Sequence, residues 1–401
     1  MWETVLNRFL IRFITKGTLI VTYPGGRMAQ YGPGGAITAG IEITTVTAMR
    51  ALCLNPILAL GETYMDGTLV ITKGSLHNFL TLLGSNYHHG DLPFPFWALQ
   101  WIRRSMRRFT QQNNARKSQK NVAHHYDISV DFYRLFLDKD MQYSCAYFAR
   151  PDMNLEKAQS AKKAHIAAKL LIEPGMRVLD IGCGWGGLAL TLARDYGATV
   201  TGVTLSKNQH ATALARAKAA GLSDLCDFRL LDYRKVSNRF DRVVSVGMLE
   251  HVGLPHFSEY FEKIFQVLED DGIALVHTIG RTTPPFPTSP WLDKYIFPGG
   301  YVPSLSDLAP ALERSGLWNA DLEVLRGHYG PTLNHWRHRF EAKLDTVREM
   351  YDERFVRMWR FYLTACEMAF EEQHQVVFQF QLSRAQHVVP ATRNYLYAKE
   401  T

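Results

Sequence analysis

A mostly parallel α/β sheet with helices on both faces, preceded by a small N-terminal α+β domain, is the fold class this sequence predicts. Three observations carry it. From residue 155 onward, short β-branched runs alternate with Ala/Leu-rich helical runs, the pattern of parallel strands joined by crossover helices. One strand-to-helix junction, "VLDIGCGWGG" at 178–187, is rich in glycine. The first 90 residues instead hold isolated β-type runs closed by glycine turns.

In chain order, "GTLIVTYPGG" and "DGTLVITKGS" read as strands with their turns, and "GSLHNFLTLL" as an apolar helix. "YPGGRMAQYGPGG" lacks the Lys-Ser/Thr of a phosphate-binding loop and reads as a pair of turns. These runs form a first domain, residues 1–95, and residues 96–120 form a basic linker. On a helix from about Trp97, Trp101, Met106 and Phe109 line one side among Arg103, Arg104, Arg107 and Arg108. An apolar stripe flanked by cations suits an anionic lipid surface, and also a solvated linker face. No nucleic-acid motif accompanies it.

The remaining residues, 121–401, form one larger domain. "LEKAQSAKKAHIAAKLL" is a helix stopped near Pro174-Gly175. "MRVLDIG", "ATVTGVTLS", "CDFRLLD", "DRVVSVG" and "GIALVHT" are five strands. The helices between them are "GGLALTLARDYG", "KNQHATALARAKAAG" and a third across Phe257–Leu268. Six prolines in 284–303 mark an ordered insertion or lid, set in an irregular region around 282–330. Helical stretches follow at Thr332–Lys343 and Phe355–Phe370. "QVVFQFQLS" then puts Val376, Phe378, Phe380 and Leu382 on one face of what reads as the sheet's last strand.

Composition bounds the function. At 401 residues, 46% hydrophobic and 21% charged, the chain is globular, which excludes disordered and collagen-like classes. Its net charge of +7 is uneven. Thirteen basic and five acidic groups fall in residues 1–120, and seven of the basic ones lie between Arg103 and Lys120 with no acid among them. Five widely spaced cysteines form no C-x-x-C pair and no zinc spacing, so reduced cysteines and no metal are expected. No secretion signal is evident, and the longest apolar stretch, Ala51–Leu60, is too short to span a bilayer and contains Pro56. A cytoplasmic protein that meets a membrane from the side is the expectation.

Ligands of such sheets bind beyond the C-terminal strand ends, where strand order reverses. Asp180 closes the first of the five strands, and Gly182, Gly184 and Gly186 turn the chain into a helix. Their spacing is not the dinucleotide fingerprint. It is similar to the S-adenosylmethionine loop of class I methyltransferases, which implies a mostly parallel seven-stranded sheet. Thr204 and Gln209 stand after the second strand, where a dinucleotide site would offer an acid, and Asp232 follows the third. Asp232 could serve an adenine amino group or simply cap a turn.

Further segments fall near the same end: "HHYDISVDFYRLFLDKDMQYSCAYF" with His125, Tyr126, Asp127, Tyr143, Ser144 and Cys145; "GMLEHVG" with Glu250 and His251; and "LVHTIG" with His277. "LTACEMAF" places Cys366 on a late helix beside Trp359, Tyr362 and Phe370. With "RVLDIGCGWGG", "GVTLSKNQ", "FDRVVSVGMLEHVG", "WLDKYIFPGG", "HYGPTLNHWRHRF" and "ERFVRMWRFYLTACEMAF", the chain closely resembles the cyclopropane-fatty-acyl-phospholipid synthase family over about residues 118–390.

The resemblance implies methylene transfer from S-adenosylmethionine to a cis double bond of an unsaturated phospholipid, with bound bicarbonate as base. The implied bicarbonate ligands are Glu250, His277, Tyr329 and the backbone around Cys145 and Ile279. Tyr143 and Ser144 would meet the methionine portion of the cofactor, and His125 and Tyr126 would close over it. Trp359, Tyr362 and Phe370 would line the acyl channel. Cys366 reads either as a small core hydrophobe or as a functional position beside that channel, not as a covalent nucleophile. The implied partner is an anionic membrane surface on the inner face of the cytoplasmic membrane, where a homodimer would present two patches at once. Rival readings are a lipid C-methyltransferase leaving a methyl or methylene branch, and a non-catalytic lipid-surface module. A nucleic-acid methyltransferase is disfavoured, because no Asn/Asp-Pro-Pro-Tyr motif is present.

Overall fold

The computed structural model describes residues 1–87 and 128–397. The whole of the expected basic linker, 96–120, with Arg103, Arg104, Arg107 and Arg108, and the residues His125, Tyr126 and Asp127 lie outside the described residues. Two compact units result. The first joins the described residues up to 87 with Phe286–Pro298 and Leu333–Gln375. The second holds residues 128 to Pro285, Gly299–Thr332 and Val376 onward.

In the first unit, strands β1 (Gly17–Thr22), β2 (Met28–Gly34), β3 (Thr38–Ile43) and β4 (Leu69–Lys73) form a sheet in the order β2-β1-β3-β4. The glycine-rich run expected as a pair of turns contains one turn, closed by Gly26 N–H donating to Tyr23 O, and then strand β2. Helix Leu76–Ser85 begins with a capping box between Ser75 and Asn78. Beyond its end, buried Asn86 accepts from the Thr15 and Lys16 amides at 2.7 and 2.8 Å and donates to Leu82 O at 2.7 Å. One side chain thereby fastens the entry of β1 to the helix.

This unit recruits segments distant in sequence, so its membership differs from the expected 1–95. Helix Pro290–Tyr295, inside the proline-rich run, packs on helix Pro56–Met65 because Gly61 has no side chain. A Cβ there would stand 2.3 Å from the Trp291 indole nitrogen. Trp291 is buried and donates to Met65 Sδ at 3.3 Å. The 20-residue helix Glu353–Glu372, capped by Asp352, packs on Pro56–Met65 and Leu76–Ser85. Phe361 closes against Trp291 and Tyr64. The apolar faces of these late segments are thus covered by the N-terminal helices.

The second unit carries β5 (Arg177–Ile181), β6 (Thr199–Thr204), β7 (Cys226–Leu230), β8 (Phe240–Val246), β9 (Leu268–Arg281), β10 (Trp318–Leu325) and β11 (Gln375–Ser383). Their order is β10-β11-β9-β8-β5-β6-β7. The pairs β5–β6, β6–β7, β5–β8 and β8–β9 are parallel, and β10–β11 is antiparallel. Both faces are buried, as near-continuous apolar strands require. Leu179, Ile181, Val243 and Val276 enter one core, while Val178, Val200, Val244 and Leu275 enter the other. Each fully buried aliphatic side chain contributes about 1.5–3 kcal/mol.

The last strand in the chain is where the sequence reading put it, and one further strand was not foreseen. β11 is last in the chain but interior in the sheet, with Gln379 and Gln381 fully buried between its apolar residues. The edge is β10, whose "WNADLEVL" is too polar and exposed to announce a strand. Among the described residues no helix is long and apolar enough to cross a membrane.

Candidate functional site

From β5 the chain winds outward through β6 and β7, then returns to β8 on the other side of β5. The C-terminal ends of β5 and β8 therefore flank a crevice, and a cavity opens there. Gly182, at φ +79°, turns the chain off β5, and its N–H donates to Val203 O at 2.9 Å. Gly186, at φ +81°, starts helix Gly187–Tyr196, and a Cβ there would meet the Phe228 ring at 2.8 Å.

The cavity is lined by Tyr143, Ser144, Asp180, Gly182, Gly184, Thr204, Gln209 and Asp232. Eight of the nine residues expected from sequence at the cofactor site are thus brought together. Gly186 is not among the lining residues, and its work is the turn behind them. Trp185, Met248 and His251 also line the cavity. His251 was legible only as the neighbour of Glu250, and burial pulls its pKa down to about 4, so it stands there as neutral imidazole.

Asp180 is 2% exposed, and its Oδ2 has no hydrogen-bond partner among the described residues. Burial pushes its carboxyl up to about 7, while the Lys162 charge acts in the opposite sense. Thr204 Oγ1 donates to Gln209 Oε1 at 2.8 Å, which leaves the amide N–H groups of Gln209 for other acceptors. Asp232 caps the turn Tyr233–Lys235 and lines the cavity at once. Its oxygens accept from the Arg234 guanidinium at 2.9 and 2.7 Å. Burial works to raise its pKa, but these bonds outweigh it and hold the carboxyl below its ordinary range. Tyr143 meets Tyr133 edge-on, and Tyr133 in turn contacts Trp185.

A second group gathers at the end of β9. Val246 pairs with His277 across the β8–β9 register, and Glu250 follows in the short turn Leu249–His251. The Ile279 amide donates to Glu250 Oε1 at 2.6 Å. Glu250 Oε2 is buried with no partner among the described residues. Burial pushes the Glu250 carboxyl up to about 7, against the Ile279 bond. His277 is 2% exposed, and its Nδ1 lies 3.1 Å from Gln379 Nε2. Burial, with Lys162 and Lys169 adding to it, drives its pKa well below the ordinary value, so the ring is neutral.

Cys145, fully buried, has its thiol pKa raised by desolvation. The adjoining Ala146 amide donates to Thr332 Oγ1 at 3.1 Å. That bond lays Cys145 beside the first turn of helix Tyr329–Glu341, which opens with Tyr329.

Cys366, Trp359, Tyr362 and Phe370 lie on helix Glu353–Glu372 of the first unit. Trp359 and Tyr362 are buried in edge contact at 5.1 Å, Phe297 meets Tyr362 at 5.7 Å, and burial pushes the Cys366 thiol up to about 12. Sequence reasoning missed Glu367 on the same helix. It is fully buried and accepts from Arg337 at 2.5 and 3.1 Å and from Asn334 at 2.7 Å. Among the described residues only His77, Glu367 and Glu371 gather donors in reach of one metal ion, and the bonds to Arg337 and Asn334 already occupy Glu367. None of the five cysteines is in a disulfide.

A seven-stranded sheet in this order, with a glycine loop after β5 and a cavity at the strand ends, defines the class I S-adenosylmethionine-dependent methyltransferases. The chain belongs to the mycolic acid cyclopropane synthetase family, which residues 113–380 match. A domain of unknown function matches residues 5–89. A "Probable fatty acid methyltransferase" of Pseudomonas putida is 40% identical over 72% of this chain and 76% of its own length. The cyclopropane-fatty-acyl-phospholipid synthase of Escherichia coli K12 is 37% identical over 87% of this chain and 89% of its own. Among solved structures, mycolic acid cyclopropane synthase CmaA1 complexed with SAH and CTAB superposes at TM-score 0.63 and 33% identity, covering 66% of this chain and 97% of that one. The protein is thus a methyltransferase of this family, and S-adenosylmethionine is its methyl-group source.

Proposed function

We propose that the protein transfers a methylene group from S-adenosylmethionine to the cis double bond of an unsaturated phospholipid acyl chain, forming a cyclopropane ring. The observation that carries this reading is the pairing of the cavity beyond the glycine loop with the Glu250–Ile279–His277 cluster at the adjoining strand ends. Tyr143, Ser144, Asp180 and the glycine loop with Gly182 and Gly184 would hold the amino-acid portion of the cofactor, with Gly186 supporting the turn. Thr204, Gln209 and Asp232 would hold the nucleoside. Trp359, Tyr362 and Phe370 would line the acyl path, with Cys366 a half-buried neighbour rather than a nucleophile.

The chemistry sets the demands on these groups. An isolated alkene is a poor nucleophile, so it must be held in line with the sulfonium methyl and away from water. Alkene attack forms one C–C bond and releases S-adenosylhomocysteine, leaving a carbocation. Loss of a proton from the transferred methyl then lets its C–H electrons close the ring. A carboxylate touching the cation could collapse onto it, so a small non-attacking base is preferable. Bicarbonate supplies that base when bound. The residues present fit it: Glu250 Oε2 is a buried acceptor lacking a partner, which suits an O–H group, and a neutral His277 ring nitrogen and the Tyr329 hydroxyl can donate to an anion.

The unopposed basic stretch from Arg103 to Lys120 would dock on anionic lipid and so supports a peripheral location at the inner face of the cytoplasmic membrane. A homodimer would double that contact. The second reading is a lipid C-methyltransferase leaving a methyl or methylene branch, and the words "fatty acid methyltransferase" in the P. putida relative's name favour methyl transfer to an acyl chain. The products separate the two, and turnover in carbonate-free buffer tests the base: ring formation should fall sharply and recover on adding bicarbonate. Ring formation indifferent to bicarbonate would remove that ion from the reading.

A further inference from the structure

Helix Leu155–Lys169 buries a lysine that the reaction as described above does not use. Lys162 is 1% exposed. Its Nζ donates to Gln142 Oε1 at 2.7 Å and to Ser144 Oγ at 2.8 Å, and both of those residues line the cavity. It forms no ion pair among the described residues, whereas the adjacent Lys163 is paired with Asp140. Asp138 and Asp140 act on Lys162 only at longer range, and burial pulls its pKa down to about 8, so the ammonium persists at neutral pH. Gln159, one turn earlier on the same helix, donates to Ser144 O at 2.9 Å and pins the backbone of the same residue.

A buried lysine without a carboxylate partner is costly unless something anionic comes to it. An ammonium can only donate, so Ser144 Oγ accepts from Lys162 and its own hydroxyl hydrogen must point elsewhere. The free direction is the cavity. The site then presents an oriented O–H donor with a fixed positive charge behind it, while Asp180, on the same cavity, presents a buried carboxylate with an unpartnered oxygen. Opposite charges placed this way match a zwitterion.

We infer that Lys162 is the positioning residue for the carboxylate of the cofactor's amino-acid end, orienting the Ser144 hydroxyl toward it and supplying the balancing charge. This rests on the reading that Ser144 meets the methionine portion.

The test compares equilibrium binding of S-adenosylhomocysteine with that of S-adenosyl-3-thiopropylamine, which lacks only the carboxylate, in the full-length protein. Lys162→Met should weaken S-adenosylhomocysteine roughly ten- to hundredfold, the range of a charge-assisted hydrogen bond, and leave the amine within about threefold. Lys162→Gln, which keeps a donor but removes the charge, gives the same readout should the methionine variant fail to fold. Ser144→Ala should also lose the preference for the carboxylate. Equal losses for both ligands in the Lys162 variants would reduce the residue to a structural role and overturn the proposal. So would a preference lost in only one of the two positions: if only Ser144→Ala loses it, the reading of the cavity survives without Lys162. If neither position loses it, the placement of Ser144 at the carboxylate end falls first.

Discussion

The Ile279 amide donates to Glu250 Oε1 at 2.6 Å, fixing a carboxyl from the β8 end against the backbone of β9. The other oxygen of the same carboxyl is left buried and without a partner among the described residues. Glu250 is therefore positioned by one oxygen and available by the other, the arrangement expected of a group that must hold a small ligand. Glu250→Gln keeps the bond to Ile279 and removes the free anionic acceptor. Ring formation should fall by about two orders of magnitude, on the scale of one lost active-site electrostatic contact, while vesicle sedimentation is unchanged. Unimpaired turnover would take Glu250 out of the chemistry.

The same residue gives a pH prediction. Its folded pKa of about 7 stands above the ordinary 4.5 because of burial, so the folded state binds a proton the unfolded chain releases. Stability attributable to Glu250 is then lost as pH rises from about 4.5 to about 7. Glu250→Gln escapes that loss. Its stability relative to the unmodified protein should improve by about 3 kcal/mol between pH 4.5 and pH 8, read from urea unfolding in carbonate-free buffer. A constant difference across that range would contradict the burial assigned to this carboxyl.

His277 takes its orientation from Gln379, whose amide nitrogen lies 3.1 Å from Nδ1. A donor at Nδ1 leaves the ring proton on Nε2, the state that can donate to an anion. Gln379→Glu offers an acceptor there instead and favours the other tautomer. Turnover should drop at least about tenfold, as for other supports of a positioned histidine, with little change in S-adenosylhomocysteine binding. A proportional loss of that binding would point to a repacked sheet.

In the first unit, Arg337 is the main counter-charge of Glu367, which is fully buried. Removing one member of such a pair leaves an uncompensated charge, at a cost of about 3–5 kcal/mol. Arg337→Met should lower the unfolding midpoint accordingly, and Arg337→Met with Glu367→Leu should recover part of it. An unaffected midpoint in the single variant would show that the pair is not needed for folding.

How much of this was legible beforehand follows from the physics of each element. The five parallel strands announced themselves because burial on both faces makes them continuous apolar runs. Much of the lining of the candidate cavity was readable because Asp180, Gly182, Gly184, Thr204 and Asp232 sit at strand ends, where the sequence itself marks the position. β10 was hidden by edge exposure, and the place of β11 inside the sheet is a pairing choice that no run of residues encodes. The late segments that join the first unit were hidden for a related reason: Trp291 and Phe361 read as apolar, but what they pack against, Gly61, Met65 and Tyr64, lies more than 200 residues away. Lys162 and Glu367 stand on helices with other charges, and the helical pattern alone does not say which charges the fold buries.

The most direct test is the mass and olefin content of acyl chains after incubation with S-adenosylmethionine and vesicles of unsaturated phospholipid containing an anionic lipid. The account predicts a gain of one CH2 per modified chain together with loss of the olefin signal, greatest at low salt, where the basic stretch binds the vesicles most strongly. A gain of one CH2 with the double bond retained, or a saturated methyl branch in place of the ring, would contradict it.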